Sequence, residues 1–63
     1  MSEIEKIQRL LDADCVAEAI EALEKRVAAD DGDDAAFYML GNAYSRMSDW
    51  KHAIESYKAA IAL

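Results

Sequence analysis

Side-chain chemistry needs partners within reach of one another, and this chain offers few. Nucleophilic catalysis requires a base beside the nucleophile and a third group to orient that base. There is one histidine, His52, and one cysteine, Cys15, far apart in sequence. A zinc site takes three or four ligands, which a single imidazole and a distant lone thiol do not supply. Cys15 has no internal disulfide partner; it reads as a small turn residue that can bridge only to another molecule. The densest polar run is Asp30-Asp31-Gly32-Asp33-Asp34. The calcium-loop spacing D-x-[DN]-x-[DN]-G would put Val27 and Ala29 at the first two ligand positions, so it fails. The run reads as a solvated turn. Its last two acids cap a helix, while Asp30 and Asp31 sit unfavourably at the end of the preceding one. There is no glycine-rich phosphate loop and no acid pair in an apolar setting. The expectation is a protein without enzymatic activity, with no catalytic, cofactor-binding or metal residues.

What remains is binding, and charge narrows the partner. The chain of 63 residues has room for one small domain, residues 1–63. A domain of that size buries only about 60% of its unfolded surface. A net charge of -6 disfavours nucleic acid, because phosphate binding rests on clustered Lys and Arg. The charge is uneven. Residues 1–34 set Lys6, Arg9, Lys25 and Arg26 against eleven acids, a net of -7. Residues 35–63 set Arg46, Lys51 and Lys58 against Asp49 and Glu55, a net of +1. No stretch approaches the roughly 20 apolar residues that span a bilayer. The opening Met1-Ser2-Glu3-Ile4-Glu5-Lys6 lacks the basic segment and apolar run of a signal peptide. A cytoplasmic protein is expected, with a protein or peptide partner and neither nucleic acid nor membrane.

The elements that carry such a surface are helices. Proline is absent and the only glycines are Gly32 and Gly41, which leaves little scope for a turn-rich β fold. Apolar spacing divides the chain into four amphipathic segments. They carry Ile4, Ile7, Leu10 and Leu11; Val16, Ala19, Ile20, Leu23 and Val27; Phe37, Leu40, Gly41, Tyr44 and Met47; and Trp50, Ala53, Ile54, Tyr57, Ala60 and Ile61. Each follows the i, i+3/i+4, i+7 rule of a helix with one buried stripe. Asp14, Asp33 or Asp34, and Asp49 mark the starts of the second, third and fourth. The connections are so short that consecutive helices must fold back as antiparallel hairpins.

Sliding the chain by 34 residues places Val16 on Trp50, Ala19 on Ala53, Ile20 on Ile54, Leu23 on Tyr57 and Val27 on Ile61. That period, with two helices per unit, points to a stacked helical repeat. Residues 34–63 also carry Phe37-x2-Leu40-Gly41-x2-Tyr44, then Ala53-x3-Tyr57 and Ala60. On these residues the chain resembles the tetratricopeptide repeats, whose pattern is an aromatic, Leu-Gly, Tyr, then Ala and an aromatic. The resemblance implies an all-α fold, antiparallel helical hairpins stacked as a short α-solenoid of two repeats. Residues 1–33 form a degenerate first repeat, with Glu3, Lys6 and Ile7 where the aromatic, Leu and Gly would fall and Arg26 in place of a small residue. Neither hairpin turn has the glycine common there. Gly41 and Ala53 are expected where helices cross closely, with Phe37, Leu40, Tyr44 and Tyr57 filling the space around them.

The same resemblance implies a protein-interaction module or scaffold whose third helix offers Tyr38, Asn42, Ser45 and Arg46 to a peptide groove. Asn42 matches the asparagine of a peptide clamp, but Tyr38 stands where that clamp has its lysine, and the first helix offers Ile4, Gln8 and Asp12. A carboxylate clamp is not expected. The alternative is a self-assembling unit. The last segment, Ala59-Ala60-Ile61-Ala62-Leu63, is still helical in pattern where the sequence stops. Ile54, Ile61 and Leu63 then have no following helix to cover them, as Phe37's helix covers Ile20 and Val27. Either the chain is a fragment of a longer protein, or another copy buries the stripe, with a two-fold homodimer the default.

Overall fold

A computed structural model describes residues 3–63. Its elements are four helices: α1 (Glu3–Asp12), α2 (Val16–Ala29), α3 (Asp34–Arg46) and α4 (Trp50–Ala62). There is no strand among the described residues. Helices pack chiefly against their neighbours in sequence, α1 on α2, α2 on α3 and α3 on α4. Contacts at the ends fix their directions. At one end Arg26, late in α2, meets Glu3 at the start of α1 (3.6 Å) and Asp33 at the start of α3 (2.6 Å). At the other end Arg46, closing α3, donates from Nη1 to the carbonyl of Leu11 near the close of α1 (2.6 Å). The α3–α4 pair is antiparallel too, since Tyr44 stacks beside His52 while Tyr38 lies beside Tyr57.

The apolar stripes read from the sequence meet in one core. Ile7 and Leu11 of α1, Val16, Ala19 and Leu23 of α2, and Ala36, Leu40 and Ala43 of α3 are buried together. Leu10, Ile20, Val27, Phe37, Met39 and Tyr44 are partly buried against them. Helix α4 buries Ala53 and Ser56 but lies outside that cluster. It is attached through a close crossing on α3. A Cβ added at Gly41 would stand 2.5 Å from Tyr57 Cε1 and 2.6 Å from Cδ1, nearer than real Cβ atoms come. Only a residue without a side chain lets the Tyr57 ring lie on α3 there. The ring is held in place by its hydroxyl, which donates to Asn42 Oδ1, and by the tilted ring of Tyr38 at 5.8 Å.

The two hairpin turns match bond for bond at the 34-residue spacing. After α1, Cys15 N–H donates to Leu10 C=O (2.7 Å) and Asp14 N–H to Leu11 C=O (3.0 Å). After α3, Asp49 N–H donates to Tyr44 C=O (2.9 Å) and Ser48 N–H to Ser45 C=O (3.0 Å). Each pair is a Schellman motif, in which the residue past the helix end takes the left-handed conformation. That residue is Asp14 (φ 63°) in one turn and Ser48 (φ 59°) in the other. Asp14 therefore does not cap α2, as the sequence led us to expect. It ends α1, and the cap position falls to Cys15, whose side chain makes no capping bond. Likewise α3 ends at Arg46, with Met47 as its C-cap outside the helix.

Two stability predictions follow from this geometry. Gly41→Ala should cost about 1–3 kcal/mol in urea unfolding, the usual range for overpacking. Most of that cost should vanish in a Tyr57→Ala background, because the clash partner is gone; equal costs in both backgrounds would contradict the crossing. Asp14→Gly and Ser48→Gly should each raise stability by about 1 kcal/mol, since glycine takes the left-handed conformation without the Cβ penalty. A loss in both would contradict the assigned turn conformation.

Candidate interaction surfaces

The four residues expected to line a peptide groove are all on α3, and three of them make bonds within the chain. Asn42 accepts from the Tyr57 hydroxyl. Ser45 Oγ donates back to the carbonyl of Gly41 (2.8 Å). Arg46 spends Nη1 on the carbonyl of Leu11. Helix ends leave such carbonyls without an intrahelical donor, so Arg46 acts as a C-terminal cap supplied by the other hairpin. Tyr38 is about half exposed, leaning on Tyr57, and Asn42 and Arg46 are exposed as well. On α1, Gln8 Nε2 donates to Asp12 (3.1 Å).

An open pocket of about 520 Å³ adjoins Tyr38, lined by Asp34, Ala35, Tyr38, Tyr57, Ala60 and Ile61. Ile61 also belongs to an apolar stripe along α4. Trp50 is 61% exposed, Ile54 53% and Ile61 85%, with the terminal Leu63 at 60%. Positions 50, 54, 57 and 61 fall on one helix face at 3.6 residues per turn. At the equivalent positions of α2, Val16 and Leu23 are buried and Ile20 and Val27 partly so. The structure thus places Ile54, Ile61 and Leu63 in solvent within this chain. It brings Ile61 and Tyr38 together at one pocket, and joins Asn42 to Tyr57, which lines the same pocket.

The charged groups form structural links that the sequence did not disclose. In the acidic turn, Asp33 is the N-cap of α3, accepting from Ala36 N–H (3.1 Å), while Asp34 is the first helical residue. Asp30, expected to be unfavourable at the end of α2, accepts from Gly32 N–H (3.0 Å) and so turns the chain. Arg26, the departure from a small residue, reaches along α2 to Asp33. Glu24 accepts from the Tyr44 hydroxyl, and burial together with Glu24 pushes that phenol up to about 12. His52 is exposed, yet its ring stacks on Tyr44 (5.1 Å) and its Nδ1 lies 2.7 Å from Asp49. Among the described residues no three His, Cys, Asp or Glu side chains converge as metal ligands. No helix of the described residues is long and apolar enough to cross a membrane. Bonds such as Arg26–Asp33 and Arg46–Leu11 join residues whose separation carries no periodic signal, so only the fold discloses them.

The Asp33 cap makes stability depend on pH in a defined direction. The Ala36 amide bond, then the bond to Arg26, hold its carboxyl below the usual 3.8. The folded pKa lies under the unfolded one, so this stabilisation is complete above 3.8 and is lost as pH falls through the lowered value. Asp33→Asn keeps a capping side chain without the charge. Urea melts down to about pH 3 should show the parent losing more stability on acidification than Asp33→Asn does. Equal losses in the two proteins would remove Asp33 from the acid response.

The chain matches no protein-family model, no curated protein and no solved structure.

Proposed function

We propose that this chain is a protein-interaction module of the tetratricopeptide type, built from a degenerate first repeat (residues 1–33) and a well-matched second one (residues 34–63). Support for the repeat reading comes from the Schellman turns, paired at the 34-residue spacing, and from the Gly41–Tyr57 crossing, at positions the repeat pattern names. The observation that carries the binding reading is the apolar surface formed by Tyr38, Trp50, Ile54 and Ile61. A small domain gains nothing in stability from large apolar side chains in water, and contiguous patches of them mark interaction sites. Polar chemistry gives no competing reading, because the groups with the strongest bonds (Arg26, Asp33, Arg46 and Tyr44) hold helices together.

Within this reading the Asn42–Arg46 half of α3 is scaffold, and the partner sits toward Tyr38 and α4. The experiment is capture on immobilised chain, run in parallel with Ile61→Glu. Residue 61 is so exposed that glutamate there leaves the fold intact. A protein, a second copy of the chain included, should be retained by the parent and lost with the variant. Retention of the same proteins by both, or of none by either, would overturn the assignment.

A further inference from the structure

The α4 stripe has a spacing that fits its own copy. From Trp50 to Ile54 is four residues, from Ile54 to Tyr57 three, and from Tyr57 to Ile61 four. The series reads the same in both directions. Two α4 helices laid antiparallel about a two-fold axis between residues 55 and 56 therefore bring Trp50 opposite Ile61 of the second copy, and Ile54 opposite Tyr57. We propose that the chain forms an isologous dimer through this face, with Trp50, Ile54 and Ile61 leaving water on both sides. The proposal rests on reading the α4 face as the binding surface, and it names the occupant.

Two further features favour this occupant. In a head-to-tail stack, α1 of the next copy would lie on α4 as α3 lies on α2. Thirty-four residues before Phe37, Leu40, Ala43 and Tyr44 stand Glu3, Lys6, Arg9 and Leu10. Glu3, Lys6 and Arg9 are exposed. Such a face would bury the charges of Lys6 and Arg9 against Trp50 and Ile54, which is costly. The two-fold arrangement also joins the halves of net charge +1 and keeps the halves of net charge -7 apart, which limits repulsion between copies.

Sedimentation equilibrium of the parent, with reductant present to keep Cys15 free, should give a mass twice the 7.0 kDa chain at high concentration and the single mass on dilution. The emission of Trp50, the only tryptophan, should shift to the red over the same dilution. Ile61→Glu should give the single mass and the red-shifted emission at high concentration. Its circular dichroism should remain helical, which separates lost pairing from lost fold. Within one chain residues 50 and 61 are about 16 Å apart along the helix, so the emission change reports contact across the two-fold. A parent of single mass at millimolar concentration overturns the proposal, even if capture on beads still finds another protein on this face. Masses that grow past two chains overturn the two-fold. A dimer whose Trp50 emission ignores Ile61→Glu overturns the register.

Discussion

The contact on which the second hairpin depends is an aromatic ring lying where a side chain would otherwise be. Tyr57 occupies the space over Gly41, and the nearest ring carbon is too close for any Cβ. Helix α4 contributes little else to the core, only the small buried Ala53 and Ser56. The Tyr57 hydroxyl on Asn42 and the ring of Tyr38 fix that close approach, and α4 packs more extensively on α3 than any other two helices do on each other. That constraint reaches the surface. Tyr57 shares the α4 face of Trp50, Ile54 and Ile61, so the ring that holds α4 to α3 also borders the exposed stripe.

The first hairpin solves the same problem with different residues. At position 23 a fully buried Leu stands where α4 has Tyr57, and α3 lies over the stripe that α4 leaves open. The turns that set both hairpins are alike despite different residues, Asp14-Cys15 in one and Ser48-Asp49 in the other. Backbone geometry matches at the 34-residue spacing where side-chain identity does not. Asp14 and Ser48 hold left-handed backbone without glycine, at the ends of helices whose last carbonyls need those amides.

Helix number, helix boundaries to within a residue or two, and the small-residue crossing were legible in the sequence, because apolar periodicity and side-chain size act locally. The caps at Asp33 and Asp49 were legible for the same reason. The role of Asp14 was not, since a residue at a junction can end one helix or start the next, and only the φ angle decides. The groove reading of Asn42, Ser45 and Arg46 took side-chain direction from a helix face. It could not foresee bonds to Tyr57 and Leu11, which depend on how neighbouring helices approach.

Packing that runs almost wholly between sequence neighbours also bears on how the chain reaches its fold and leaves it. Short loops close quickly, and proteins rich in local contacts fold in microseconds to milliseconds. The buried cluster joins α1, α2 and α3, and α4 packs on α3. Opening is expected to be graded accordingly: the amide protons of α2, with α1 and α3 both packed on it, should exchange with solvent last.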